Sequence, residues 1–190
     1  DGISVYKVHI PLTTNNFNEI DNILFLKEKL QLFANRKHFF PLEEFFKIDS
    51  LNTVMRDLTK QDWDYRNLYG AFHGLYTVTR RVECFDILLS KNVFSGSEKH
   101  ELLGRMADMF PRFQTGLELL NLDEVFNLKG KEMYLELTQK CQTILKKYEK
   151  ILKQFDLSHR DLDFRYNEFC LTNSFDTFLE KDKQGFYNIN

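Results

Sequence analysis

Residues at which a polypeptide turns sharply are scarce in this sequence, which has 8 glycines and 3 prolines among 190 residues. A sandwich of short strands needs a turn about every 8–12 residues, and such turns draw heavily on these two residue types. The shortage therefore disfavours an all-β fold and favours long helices. Aromatic residues are plentiful instead, with 19 phenylalanines and 8 tyrosines, so a thick core can form from a short chain.

The sequence also has little net charge and no long apolar run. Its 26 basic and 28 acidic side chains give a formal net charge of −2. No overall positive field is present to attract nucleic acid, so we expect no nucleic-acid partner. The apolar runs are far shorter than the roughly 20 residues of a transmembrane helix, so we expect no membrane span.

What the sequence does contain is apolar periodicity. Apolar residues at spacings of three and four predict two long amphipathic helices, at about residues 62–91 and 130–155. Shorter helical patterns lie before, between and after them. The sequence thus predicts a single-domain all-α bundle of six to eight helices over residues 16–182, with an extended lead-in at residues 1–15 and a frayed tail at residues 183–190.

The same periodicity predicts where the two long helices meet, directly or through a third helix. We expect a buried contact formed by one apolar stripe from each helix. Its members are Leu75, Val82, Phe85, Leu137, Ile144, Tyr148 and Leu152.

Three cysteines are too few and too scattered for a disulfide scaffold or a zinc site. If the chain turns back near residue 155 as a helical hairpin, Cys141 and Cys170 lie at the same height in it. We predict that their sulfurs are neighbours, bonded if the protein is secreted, with Cys84 unpaired. Two independently buried thiols are the alternative. The start at Asp1 slightly favours a secreted protein over a cytoplasmic one, and it also fits a fragment.

One stretch of the sequence resembles a catalytic motif, but only superficially. His159-Arg160-Asp161-Leu162 spells the start of the protein-kinase catalytic loop, but the asparagine that should follow at position 166 is Tyr166. The sequence has neither a glycine-rich phosphate loop nor an Asp-Phe-Gly triplet. The five histidines also lack the spacing of metal ligands. We therefore expect no catalytic residues, no metal and no cofactor, and an enzyme is the less favoured reading.

Two weaker patterns could mark binding sites. Gly70 and Gly74 lie four residues apart on the first long helix; they indicate either a tight helix crossing or the wall of a small apolar cleft, with Tyr69 and His73 as its polar contacts. On the second long helix, lysines form a candidate anion-contact stripe at Lys140, Lys146, Lys147, Lys150 and Lys153. Internal pairing of that stripe with the acidic segment after Asp156 is the simpler interpretation.

These observations favour a non-enzymatic helical module that binds a partner protein through an aromatic-rich helix face or groove. The alternative is a secreted carrier of an apolar small molecule, bound among phenylalanines near Gly70 and Gly74. The identity of the partner or ligand does not follow from the sequence, and no family resemblance is specific enough to name.

Overall fold

A computed structural model describes residues 42–113, 116–158 and 164–188, all within the unit Leu42–Asn190. The predicted lead-in, the start of the predicted helical domain up to residue 41, and the kinase-like tetrapeptide lie outside these ranges. No helix in the described residues is long and apolar enough to cross a membrane.

The described ranges contain helices and no β-strand, so the predicted all-α class of six to eight helices is confirmed. The α-helices are α1 (Leu42–Phe45), α2 (Met55–Thr59), α3 (Leu68–Ser90), α4 (Gly96–Phe113), α5 (Leu122–Val125), α6 (Leu128–Leu152), α7 (Tyr166–Thr172) and α8 (Phe175–Lys183). A short 3-10 turn, Leu117–Leu119, precedes α5.

Helix α3 begins six residues later than the predicted 62. The Asn67 side chain caps it by accepting a hydrogen bond of 2.7 Å from the Gly70 backbone N–H. The residues before the cap form a turn instead, in which the Asp64 N–H donates to the Gln61 carbonyl (3.0 Å). The apolar stripe of the first long helix itself starts at Leu68, and residues 62–67 are mostly exposed charged and aromatic side chains outside that stripe.

Helix α6 matches the second predicted long helix closely. Asn127 caps its start, and its last turn tightens where the Gln154 N–H donates to the Ile151 carbonyl (3.1 Å). Bonds of this i to i+3 type are common where a helix ends. The helix therefore stops at Leu152 rather than at 155.

The two long helices pack directly against each other, and α4 packs against both. The predicted contact residues are buried, with one exception: Ile144 is only half-buried. Its neighbour Leu145 is 2% exposed and takes the inward position. Cys141, Leu145, Tyr148 and Leu152 follow each other at helical spacings of four, three and four, which leaves residue 144 at the edge of the stripe.

The abundant rings form two clusters in the core. The Phe72 cluster joins α1, α3, α6 and the residue after α5; it consists of Phe45, Phe46, Phe72, Phe126 and Tyr134. The His100 cluster lies where α7 and α8 pack on α4; it consists of His100, Phe155, Tyr166, Phe169, Phe175 and Phe178. About half of the aromatic side chains in the described ranges are thus buried in the core.

The described part of the predicted tail, residues 183–188, packs against α8. Tyr187 is 3% exposed and stacks on Phe178, with ring centroids 4.7 Å apart. The Phe186 N–H donates to the Lys181 carbonyl (3.0 Å), which folds this segment back onto α8. An aromatic anchor thus holds a segment whose polar composition predicts fraying.

Candidate interaction surface

Within the described ranges, the glycine pair on α3 does not mark a tight helix crossing. A Cβ at Gly74 would meet no atom of the described residues within 4 Å, and one at Gly70 would meet only the Asn67 cap. Tyr69 and His73 stack on each other along the same helix, with ring centroids 6.1 Å apart. Burial lowers the pKa of His73. The structure thus places these four predicted ligand residues side by side on one helix, and it leaves their predicted role open.

The close approaches occur at two other glycines. A Cβ at Gly104 of α4 would lie 2.7 Å from the Phe169 ring and 2.9 Å from the Phe164 ring. A Cβ at Gly130 of α6 would overlap the Phe45 carbonyl. No glycine pattern marks either position, and only the tertiary neighbours reveal why a side chain is excluded there.

The lysine stripe of α6 is largely paired inside the fold. Lys140 lies 3.0 Å from Glu83 and 3.4 Å from Glu136, and Lys147 lies 2.7 Å from Asp86. Lys153, the residue after α6, pairs with Glu149 of that helix, and Lys150 lies over the Phe186 ring at 5.8 Å. Lys146 is exposed. The sequence suggested that the acidic partners lie in the segment after Asp156. In the structure they lie on α3 and α6 instead.

Lys147 belongs to a polar clasp between the two long helices. Its Nζ donates to Asp86 Oδ1, and the Tyr148 hydroxyl donates to the same oxygen at 2.6 Å. Burial raises the pKa of Asp86, but these two hydrogen bonds and the lysine charge together hold it below its usual value. The Asp86 carboxylate therefore accepts the hydrogen bond of the Tyr148 hydroxyl, and Tyr148 is 0% exposed.

Replacing Asp86 by Asn should lower the unfolding free energy at pH 7 by about 1–3 kcal/mol, because charge-assisted hydrogen bonds to a buried hydroxyl are lost. A carboxylate with a lowered folded pKa stabilises the fold fully above its unfolded pKa of about 4, and this contribution is lost as the pH falls through the folded value. In denaturant titrations at a series of pH values, the unfolding free energy of the variant should therefore fall less steeply on acidification than that of the wild type. Asp57→Asn, at an exposed pair, is the control; an equal loss there would contradict the clasp.

The predicted pairing of Cys141 with Cys170 is wrong. All three cysteines are free, and no two lie at disulfide distance. Cys141 faces Thr79 in the contact between α3 and α6, and burial raises the pKa of its thiol to about 12. Cys170 lies on α7, beside Tyr166, and α7 packs against α4. The equal-height argument failed because α7 is short and belongs to a different helix pair.

An exposed aromatic surface lies on the loop before α3. Trp63, the single tryptophan of the chain, is 64% exposed, and Tyr65 is 70% exposed. The Arg56 guanidinium carbon lies 4.7 Å from the centre of the Tyr65 ring. We call Arg56, Trp63 and Tyr65 the Trp63 surface. It combines the three residue types that are enriched at the energetic centres of protein interfaces.

Backbone hydrogen bonds hold this loop against the segment that precedes it. The Met55 N–H donates to the Arg66 carbonyl (2.8 Å), and the Arg56 N–H donates to the Asp64 carbonyl (3.0 Å). The Leu68 N–H closes the base of the loop on the Thr53 carbonyl (2.9 Å). Met55, 0% exposed, anchors it in the core. The exposed rings therefore project from a fixed backbone.

Asp64 fixes the position between the two exposed rings. It is 1% exposed and accepts two hydrogen bonds from the Arg66 guanidinium, from Nε at 2.8 Å and from Nη2 at 2.7 Å. These bonds lower the pKa of Asp64, chiefly through the Arg66 side chain. A buried carboxylate that accepts bidentate hydrogen bonds from a guanidinium resists displacement. Trp63 and Tyr65, on either side of Asp64 in the sequence, are therefore held on the solvent side of the loop.

Sequence reasoning did not single out Trp63 or Tyr65, because it assigned this stretch to the first long helix. A usable signal is present in the letters "QDWDYRN", where two rings are interleaved with charged residues and match no helical apolar stripe. Because the two rings do not lie on one face of a helix, they could not both enter the core from a helix.

Comparison with known proteins adds no relative: no family model, no curated protein and no solved structure matches this chain. Among the side chains of the described ranges, no group of three or more His, Cys, Asp or Glu residues could hold a metal ion.

Proposed function

We propose that the protein is a non-enzymatic interaction module that binds a partner protein through the Trp63 surface. The exposure of Trp63 and Tyr65 on a loop fixed by backbone hydrogen bonds supports this most directly. Large rings bury much apolar area on binding, and the fixed backbone limits the entropy lost when they are ordered. The helical domain then serves as a scaffold for this loop.

Charge and reactivity are in line with a protein partner. The exposed side chains around the rings carry both signs, including Arg56, Lys60 and Asp62, which suits the polar rim of a protein interface. Burial raises the pKa of Cys84 to about 11 and that of Cys141 to about 12, so neither thiol is activated as a nucleophile. The predicted helix face is replaced in this proposal by a loop, because the helical rings are mostly core.

The apolar-carrier hypothesis stays a prediction. It requires space among phenylalanines near Gly70 and Gly74, whereas the rings of the Phe72 cluster contact each other with centroids 5.3–6.2 Å apart. Thermal denaturation with a panel of apolar ligands tests it, because a bound ligand raises the unfolding midpoint by mass action.

The proposed interface can be tested by crosslinking from a neighbouring position. A photoreactive residue at Lys60, which is exposed and leaves both rings intact, should capture one partner protein. Unlabelled wild-type chain should compete with this capture, and the Trp63→Ala chain should not. The same probe at Leu171, which is 79% exposed on α7, is the control for nonspecific apolar contact.

With the captured partner purified, Trp63→Ala should raise its Kd at least about tenfold, and Tyr65→Ala should act in the same direction, because truncating a central anchor removes most of its buried area. Leu171→Ala should leave Kd within about twofold, as expected for a residue outside the interface. Equal capture at both positions, or undiminished binding of Trp63→Ala, would overturn the proposal.

A further inference from the structure

The strongest unexplained feature outside the Trp63 surface is a fully buried histidine. His100, on α4, is 0% exposed. Its imidazole lies against the Phe178 ring, with centroids 4.6 Å apart, and against Phe169 at 5.1 Å. Phe155 and Phe175 lie at 6.0 and 5.8 Å. The residues that enclose this ring therefore come from α7, from α8 and from the segment that follows α6.

The two nitrogens of this imidazole differ in their hydrogen bonding. Nδ1 lies 3.1 Å from the Tyr166 hydroxyl, whereas Nε2 is buried and has no hydrogen-bond partner among the described residues. A neutral imidazole can place its proton on Nδ1 and donate it to Tyr166, which leaves only a lone pair at Nε2. The protonated ring carries an N–H at both nitrogens, so a charged donor would point from Nε2 at apolar rings.

Among the described residues, the charged groups around this cluster do not offer Nε2 an acceptor. On α4, Glu101 pairs with Arg105, and Lys99 pairs with Asp182 of α8. After α6, Asp156 accepts from the Ser158 N–H at 2.8 Å. The other titratable groups on these elements are Glu98, Asp108 and Arg112 on α4, Tyr166, Glu168 and Cys170 on α7, Asp176, Glu180, Lys181 and Lys183 on α8, and Tyr187 after α8. Asp108 pairs with Arg112, and Glu168 pairs with Arg165. Burial alone lowers the pKa of His100, to about 4.

We propose that His100 is a pH-sensitive latch: protonation of its imidazole releases the segment Tyr166–Tyr187 from α4. Release gives the charged ring access to water and exposes Phe169 and Phe178, which are otherwise buried. The long helices α3 and α6 meet through a separate contact and stay packed. This device is independent of the Trp63 surface and does not rest on the proposed partner.

Hydrogen exchange measured by mass spectrometry tests the latch in the intact chain. After correction for intrinsic exchange rates, protection of peptides within 164–188 should fall about 20-fold between about pH 7 and pH 5, the change expected if the open segment has an ordinary histidine pKa. Peptides within 68–90 should keep their protection. Unchanged protection of 164–188 across this range would overturn the latch.

His100→Phe keeps a ring in the cluster and removes the titrating group, so its 164–188 peptides should lose the pH response. His73→Gln, which removes a histidine from α3 instead, should keep the wild-type response. A persistent response in His100→Phe would overturn the proposal.

Should His100→Phe fail to fold, NMR of the wild-type imidazole gives the decisive measurement. Protonation of His100 should coincide with the loss of the 164–188 amide signals, and protonation without that loss would overturn the proposal.

Discussion

Gly130→Ala is expected to lower the unfolding free energy by about 3 kcal/mol or more, the upper part of the range for an overpacked core. Gly130 is the third residue of α6, and its Cβ would overlap the Phe45 carbonyl oxygen and lie 2.8 Å from the carbonyl carbon. The Phe126 ring closes the other side at 3.0 Å. Chemical denaturation of the variant and the wild type measures the difference.

The backbone at this contact cannot move away without breaking other interactions. The Asn127 N–H donates to the same Phe45 carbonyl at 3.2 Å, and the Lys47 N–H donates to the Val125 carbonyl at 2.9 Å. These bonds tie the end of α1 and the residues after it to the segment that joins α5 to α6. A side chain at residue 130 therefore either separates the two segments or strains the cap of the helix.

Gly74→Ala is the matched control. It makes the same chemical change inside α3, where the new methyl group would meet no described residue within 4 Å. An alanine there should raise the unfolding free energy by about 0.5–1 kcal/mol, because glycine loses more backbone entropy in a helix. If both variants lost the same amount, the steric explanation at Gly130 would be wrong.

These two glycines show how far the sequence could predict the fold. The helical period of α3 and α6 is a local signal, and it placed both helices and their buried faces within a few residues. The spacing of Gly70 and Gly74 is also local, but a close approach depends on what lies opposite. The carbonyl of Phe45 meets Gly130 only in the folded chain. The neighbouring pair Lys129 and Glu44, which is joined by a hydrogen bond, is 85 positions apart in the sequence.

The letters "QDWDYRN" carry a local signal for the candidate surface, but the exposure of its rings depends on tertiary contacts for a related reason. Trp63 and Tyr65 are residue types that normally indicate core, and their exposure depends on the burial of Asp64 between them. That burial depends in turn on Arg66, which supplies both hydrogen bonds to the carboxylate. Composition cannot distinguish a ring held outward by a buried neighbour from a ring that enters the core.

The face that α6 presents to α3 gives the last prediction. Leu145→Ala should lower the unfolding free energy by about 2–5 kcal/mol, because it removes apolar contacts and leaves a cavity in a packed site. The side chain is 2% exposed and lies in the stripe that contains Cys141 and Tyr148. Chemical denaturation gives the loss directly, and an unchanged dependence on denaturant would show that the variant unfolds from the same compact state.

Ile144→Ala, one residue earlier, separates burial from helix effects. Both substitutions place alanine in the same turn of α6, so helix propensity favours each variant slightly, and somewhat more at residue 144 because isoleucine is the poorer helix former. Ile144 is only half-buried, and its surroundings can relax or admit water when the side chain is shortened. We expect it to lose less than half as much as Leu145→Ala. A larger loss at Ile144 would mean that the buried stripe of α6 is rotated by about 100°, the angle between successive helical residues.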